Sequence, residues 1–278
     1  MLAATVTAVA VELIVVPYVL GREGVGMGAG PLALEAAAAE ALAADAVVRI
    51  GLSAPFTNEI GACFDLNRQV ARAVADARER SALPVVLTGN CHTQQAVVAG
   101  LGGHDLALVW LDCHADFHTP ETTATGFFDG TALAMTIGDC WSGLCATVPG
   151  FEPLPAHRVV LAGARDVEPA ERERLDASAV IELGPGETRR LATMLPLAGR
   201  TSLHIDLDVL DPSFGEANQY AVAPGISPDD LLDAVRAVAN TSKLAAVTLS
   251  AYDPAFDRRD GVRDTALAAL RQFKLSAG

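Results

Sequence analysis

The sequence has few cysteines, few aromatic residues and a shortage of positive charge. Five cysteines in 278 residues are too few for a disulfide scaffold, and none forms a Cys-x-x-Cys pair typical of a zinc knuckle. With 20 Lys and Arg against 34 Asp and Glu, the net charge is −14, so phosphate backbones and anionic membranes would repel the chain. We expect no nucleic-acid or membrane partner, but metal ions or a small cationic substrate. The sparse cysteines favour a reducing, cytoplasmic compartment.

Long uninterrupted apolar runs are also lacking. Residues 6–20 are mostly apolar, but Glu12 and Pro17 interrupt them and no basic residue precedes them. This pattern fits neither a signal peptide nor a membrane span, and we interpret Glu12–Val19 as a buried first strand. The chain shows no linker, composition break or repeat, which predicts one domain over residues 1–278.

Short β-branched runs alternate with alanine-rich, helix-like stretches. The runs predict strands that begin at Glu12, Ala46, Pro84, Leu106, Arg158, Ala179, Ser202 and Leu244. The stretches predict helices over 31–44, 63–81, 93–101, 129–137, 168–177, 187–197, 227–240 and about 264–275. Continuous apolar strands between helices indicate an α/β fold whose parallel sheet is buried on both faces. A TIM barrel also fits the strand count, but we favour an open sheet because the long polar loops follow only three strands.

Metal-binding side chains follow three of the predicted strands. Segment 112–116 reads Asp-Cys-His-Ala-Asp, Asp206-Leu207-Asp208 ends another run, and His92 follows a third. Alternate residues of an extended segment face the same side, so four carboxylates and two imidazoles should meet at the carboxyl edge of the sheet. Buried carboxylates this close need cations, and an oxygen-rich set suits Mn²⁺ better than Zn²⁺. Two such ions could activate a water molecule.

These elements resemble those of the arginase/agmatinase superfamily over nearly the whole chain. The family's Gly-Pro, G-G-D-H, D-A-H-x-D, N-T-P-E-T and S-F-D-x-D-x-x-D-P elements correspond in order to residues 28–31, 89–92, 112–116, 118–122 and 204–212. The resemblance implies a three-layer α/β/α fold with an eight-stranded, mostly parallel sheet. It also implies two Mn²⁺ ions per chain. One would be held by His92, Asp112, Asp116 and Asp206, and the other by His114, Asp112, Asp206 and Asp208.

Four positions depart from the family pattern. Cys91 replaces the Asp that precedes the ligand histidine, and we interpret it as weaker support for His92. Asp129 stands where the family has a histidine near the substrate, and His118 replaces the Asn of N-T-P-E-T. We predict that Asp129 and His118 are catalytic, with Asp129 or an imidazole such as that of His118 protonating the leaving amine. The alternative for Asp129 is a cap on the helix that begins there. Ala251 replaces the Glu that grips the guanidinium.

Two further patterns have less specific interpretations. The run Glu171-Arg172-Glu173-Arg174 predicts a solvated helix face. His204 lies two residues before Asp206, and the sequence leaves open whether it supports a metal ligand or only packs in the core.

The functional hypothesis is a dimanganese hydrolase that cleaves a non-peptide C–N bond in a linear amidine or guanidine. The substrate would be arginine-like or Nω-hydroxy-arginine-like, because the superfamily includes an Nω-hydroxy-L-arginine hydrolase and because Ala251 disfavours plain arginase activity. Two alternatives remain open at this stage. One is a metal-binding pseudoenzyme of the same fold, and the other is a deacetylase-like amide hydrolase with a single zinc ion. The sequence leaves the oligomeric state open.

Overall fold

The fold is built on one eight-stranded sheet. The computed structural model describes residues 10–195 and 199–275. All pairings in the sheet are parallel and its order is β2-β1-β3-β8-β7-β4-β5-β6, so it is open rather than closed into a barrel. The predicted α/β fold with an open parallel sheet is confirmed. The strands are β1 (Val11–Val16), β2 (Ala46–Arg49), β3 (Leu83–Thr88), β4 (Leu106–Leu111), β5 (Val159–Ala162), β6 (Ile181–Leu183), β7 (Arg200–Asp206) and β8 (Leu244–Ser250).

The inner strands are apolar on both faces because helices cover both, whereas the edge strand β2 is mostly exposed. In β1, for example, Leu13 faces one hydrophobic cluster and Ile14 faces the other, and both are fully buried. Helices α2, α3 and α4 contribute to the first cluster, and α1, α8 and α9 to the second, which gives three layers. The helices are α1 (Ala29–Leu42), α2 (Glu59–Glu79), α3 (Thr93–Leu101), α4 (Ala132–Thr136), α5 (Ser142–Cys145), α6 (Pro169–Asp176), α7 (Leu191–Met194), α8 (Pro228–Thr241) and α9 (Gly261–Leu275).

Two predicted helices are shorter than the sequence pattern indicated. The one expected over 129–137 begins with a 3₁₀ turn, Asp129–Thr131, before α4. The one expected over 187–197 is a 3₁₀ segment, Pro185–Arg190, followed by α7, and the last two residues of that prediction lie outside the described residues. None of the helices in the described ranges is both long and apolar enough to cross a membrane.

The first strand ends earlier than predicted. The strand expected over Glu12–Val19 stops at Val16, and Tyr18–Val19 pairs instead with Arg22–Glu23 in a small antiparallel ribbon. Pro17 lies between the two and has no N–H to donate to a sheet, which explains why the apolar run divides there.

The chain after this ribbon crosses directly over the end of β3. A Cβ at Gly89 would lie 2.4 Å from the Tyr18 carbonyl oxygen, and one at Gly30 would lie 2.0 Å from that of Tyr252. Only glycine permits this approach. The crossing brings Leu20 and Met27 to the carboxyl edge of the sheet, where they line a cavity.

Candidate metal centre

A cavity of about 580 Å³ opens at the carboxyl ends of the central strands. Strands β3, β8, β7 and β4 are neighbours, so the segments that follow them meet at this edge. The metal-binding candidates that line the cavity are Cys91, His114, Asp116, Asp206 and Asp208. The predicted convergence of these segments is therefore present in the structure.

Asp112 belongs to two close groups of ligand atoms. In the first group, ligand atoms of Asp112, Cys113, His114 and Asp208 all lie within 4.8 Å of one another. In the second, those of Cys91, Asp112 and His204 do. Trp110 Nε1 donates to one Asp112 oxygen at 2.9 Å and the His114 amide donates to the other at 2.7 Å, which fixes the shared carboxylate. Sulfur, nitrogen and carboxylate oxygen donors in this arrangement fit divalent cations.

The carboxyl groups of this centre repel one another. Burial and the charge of Asp208 raise the pKa of Asp112 to about 6, and burial with neighbouring carboxylates raises the pKa values of Asp116 and Asp206 well above their usual range. Asp208 differs: burial raises its pKa, but the charge of His114 together with hydrogen bonds from neighbouring groups such as Asn218 lowers it below its usual value. Although burial alone lowers the pKa of His114, Asp208 and Asp112 raise it to about 10. Bound cations would compensate this concentrated negative charge.

Cys91, and not His92, faces the carboxylates. The Cys91 thiol donates to Asp206 Oδ2 at 2.9 Å and lies 3.2 Å from the Ser250 hydroxyl. His92 turns the other way. Its Nδ1 lies 3.2 Å from Asn67 Oδ1, its ring packs on Phe128, and its buried Nε2 has no hydrogen-bond partner among the described residues. This corrects the expectation for both positions, since neighbouring side chains diverge where α3 begins.

Asp129 lines the cavity but both of its oxygens are already engaged. Oδ2 accepts from the Asn90 side chain at 2.7 Å and from the Cys91 amide at 3.0 Å, and Oδ1 accepts from the His92 amide at 2.8 Å. The Cys91 and His92 amides lie at the start of α3, where no helix carbonyl can accept from them, so the carboxylate caps that helix from a distant segment of the chain. The geometry points to a positioning role for Asp129 instead of the predicted proton transfer.

A cluster of acidic residues around His118 also lines the cavity. His118 Nε2 lies 3.4 Å from carboxylate oxygens of both Glu168 and Glu171, and its Nδ1 lies 3.2 Å from the Thr122 hydroxyl. Glu171 is only 4% exposed and accepts the Phe117 amide at 2.9 Å, so the predicted solvated face is wrong at this position. The sequence Glu168-Pro-Ala-Glu171 is a capping signal that could have identified this buried carboxylate.

The remaining lining of the cavity is largely apolar. Phe127 and Tyr220 stack with ring centroids 5.4 Å apart, and Ala251 lies beside them in the lining with 3% of its surface exposed. Asn218 Nδ2 donates to the Ala251 carbonyl at 2.8 Å and lies 3.3 Å from Asp208. The cavity therefore combines acidic and apolar lining residues with the candidate metal ligands.

In metal-free protein, stability should fall as the pH rises. The folded-state pKa of Asp112, about 6, lies above its ordinary value of 3.8. Between these values the unfolded chain loses its proton while the folded chain keeps it, so this stabilisation is present below about pH 4 and lost above about pH 6. Asparagine cannot ionise, and the hydrogen bond that it loses to Trp110 or the His114 amide costs stability at both pH values. In chelator-treated protein, we therefore expect the difference in Tm between Asp112→Asn and wild type to shift in favour of the variant by roughly 5 °C or more between about pH 4 and about pH 7.5. Calorimetry at both pH values tests this, and a pH-independent difference would contradict it.

Comparisons of the sequence with protein families and with known proteins identify the same family. A model of the arginase family matches residues 10–274. Arginase-1 of Oryctolagus cuniculus is 29% identical over 213 residues, which are 69% of this chain and 65% of that protein. The N(omega)-hydroxy-L-arginine amidinohydrolase of Streptomyces lavendulae is 32% identical over 162 residues, 57% of each chain. The alignments thus span somewhat less than two thirds of these relatives.

Solved structures share the fold. An arginase from Bacillus subtilis superposes with a TM-score of 0.84 at 23% identity and covers 95% of this chain and 98% of its own. The arginase of Bacillus caldovelox gives the same TM-score and identity, with 95% and 97% covered. At this identity the superpositions establish the three-layer architecture.

Proposed function

Because the chain belongs to the arginase family, we propose that it is a hydrolase that uses two divalent cations to cleave a C–N bond in a linear amidine or guanidine. The observation that carries the proposal is the pair of ligand groups that share Asp112 beside the cavity. One carboxylate common to two groups supports a two-ion centre over the single zinc ion of a deacetylase-like enzyme.

The proposed ligand set replaces His92 with Cys91. His114 and Asp208 would hold one ion, Cys91 and Asp116 would hold the other, and Asp112 and Asp206 would lie between them. The His114 position is rich in carboxylate oxygen, which supports Mn²⁺ there. Such ions, when bound, polarise the carbon under attack and activate water.

The walls of the cavity support a cationic substrate. Asp166, Glu168 and Glu171 line the cavity, so a substrate ammonium group would be attracted to these carboxylates. His118 lies between two of these carboxylates, and in this proposal it remains the acid that protonates the leaving amine. An arginine-like or Nω-hydroxy-arginine-like molecule combines such an ammonium group with the required carbon. The name of the Streptomyces lavendulae relative supports the second of these.

A release assay tests this function. The purified chain, loaded with Mn²⁺ or Zn²⁺ or both, would be incubated with arginine, Nω-hydroxy-arginine, agmatine and formimidoyl amino acids. We expect urea, hydroxyurea or formamide to be released from at least one of them, and no release after treatment with a chelator. Two bound ions per chain without turnover of any compound would contradict the hydrolase proposal and support the pseudoenzyme.

The proposal also includes the cellular compartment and the domain organisation. All five cysteines are free, and none of them is paired in the described residues, which supports a reducing, cytoplasmic compartment. The family match from residue 10 to residue 274 supports a single catalytic domain.

A further inference from the structure

The two proposed ion positions differ in the chemistry of their donors. On one side lies the Cys91 sulfur, 2.9 Å from Asp206 Oδ2 and within 4.8 Å of ligand atoms of Asp112 and His204. Metal bonds of about 2.3 Å to sulfur and about 2.1 Å to oxygen place two such donors about 3–3.5 Å apart on one ion. The observed separation is close to this range, so sulfur and carboxylate can bind one ion after a small adjustment.

An imidazole, that of His204, is linked to this sulfur through the Ser250 hydroxyl. The His204 ring lies against Trp110 with ring centroids 3.9 Å apart. His204 Nε2 lies 3.3 Å from the Ser250 hydroxyl, which in turn lies 3.2 Å from Cys91 Sγ. His204 Nδ1 is buried and has no hydrogen-bond partner in the described part of the chain. This position therefore offers one sulfur and one imidazole beside the Asp112 carboxylate.

The other position has harder donors facing the cavity. His114 Nδ1 lies 3.4 Å from oxygens of both Asp112 and Asp208. A second thiol, Cys113, belongs to this group, but it lies against the His114 ring, 3.3 and 3.5 Å from its two nitrogens. Cys113 is fully buried and does not line the cavity, whereas Cys91 does.

We propose that the centre is heterometallic, with a softer ion such as Zn²⁺ at the Cys91 position and a harder ion such as Mn²⁺ at the His114 position. Thiolate sulfur selects zinc-like ions, while carboxylate-rich sites suit manganese. Binding forms a metal–sulfur bond as the S–H bond breaks, and the thiol proton passes to solvent. This inference rests on the proposed two-ion function and deepens it.

The absorption spectrum of bound Co²⁺ shows whether sulfur is a ligand. Metal-free protein would be titrated with Co²⁺, and we expect a thiolate-to-cobalt absorption band in the near ultraviolet that saturates at one sulfur-bound ion per chain. Cys91→Ser should lose the band, and the matched variant Cys113→Ser should keep it. Thermal melting of both variants verifies that they fold.

Competition then tests the selectivity. Metal-free protein exposed to equal Zn²⁺ and Mn²⁺ should retain one of each per chain by elemental analysis. Cys91→His keeps a ligand but removes the sulfur, and it should shift the zinc-to-manganese ratio toward manganese by about tenfold or more.

The outcomes separate this inference from the proposed function. Two bound Co²⁺ ions without the band, or loss of the band in Cys113→Ser alone, would overturn the heterometallic centre while C–N hydrolysis could still stand. The band without hydrolysis of any tested substrate would overturn the proposed function and support the sulfur site. Protein that binds no metal would overturn both.

Discussion

Replacing Asp112 with asparagine should release both metal ions and lower kcat/KM on the order of 10⁴-fold. Asp112 is the one residue common to both ligand groups. Asparagine has nearly the same shape and keeps one oxygen, so Trp110 or the His114 amide retains an acceptor. It removes the negative charge that each ion requires, however, and the loss therefore reports on the charge and not on packing.

Elemental analysis and kinetics on the same preparations measure this effect. Asp208 belongs to only one of the two groups, so Asp208→Asn should release mainly one ion. Asp176, an exposed carboxylate on α6 that pairs with Arg172, provides the matched control, and Asp176→Asn should keep both ions and wild-type turnover. Two full equivalents of metal in Asp112→Asn would refute the shared position.

The fold was largely predictable because its inner strands are buried on both faces. A strand such as β4, Leu106–Leu111, has no solvated side, so all six of its residues are apolar. A run this short, with β-branched and aromatic residues, is more typical of a buried strand than of a helix. The boundary at Pro17 was missed because the residues on both sides of it are apolar. Composition alone does not show where the backbone leaves the sheet, although the proline is a local signal that it does.

The carboxylates of the centre were predictable for a similar reason. Asp112 and Asp116 follow β4, Asp206 ends β7, and Asp208 comes two residues later, so the carboxyl ends of two neighbouring parallel strands bring both pairs to one edge of the sheet. The extended alternation expected within each pair is absent, because Asp208 lies in a 3₁₀ turn, Leu207–Val209, and Asp116 has a φ of 48°. The structure places all four carboxylates at this edge of the sheet. What they bind remains a prediction.

The position after β3 was not predictable by the same rule. The chain turns at Gly89 and Asn90 and enters α3 directly after His92, so no extended segment relates the side chain directions of residues 91 and 92. The family's G-G-D-H element can be placed on residues 88–91 as well as on 89–92. The first placement aligns Cys91 with the family's ligand histidine. The hydrogen bond from the Cys91 thiol to Asp206 supports this placement.

Asp129 presents the same difficulty in another form. Its sequence position suggests a group that faces the substrate, or a cap on the helix that begins there. In the structure it caps a different helix, α3, which starts 36 residues earlier at Thr93. Long-range capping of this kind leaves no local pattern, because the donors and the acceptor belong to separate segments of the chain.

Substituting Asp129 with asparagine should therefore destabilise the protein and disturb metal binding together. Its two oxygens serve three donors, namely the Asn90 side chain and the amides of Cys91 and His92. Asparagine turns one of those oxygens into an amide that faces a donor, which leaves buried groups unpaired at a cost of about 2–3 kcal/mol. We expect Tm to fall by roughly 5–10 °C.

Cys91 would lose its fixed backbone, so the ion at the Cys91 position should bind at least about tenfold more weakly, in the range for groups that orient metal ligands. A catalytic acid at Asp129 would behave differently: kcat/KM would fall while Tm and metal content stayed at wild-type values. Calorimetry, elemental analysis and kinetics on Asp129→Asn distinguish the two roles. Excess Zn²⁺ should restore part of the lost turnover if Asp129 acts by positioning Cys91, since mass action compensates weaker binding. If excess metal fails to raise the turnover of Asp129→Asn and its Tm is unchanged, Asp129 takes part in proton transfer and the positioning role is wrong.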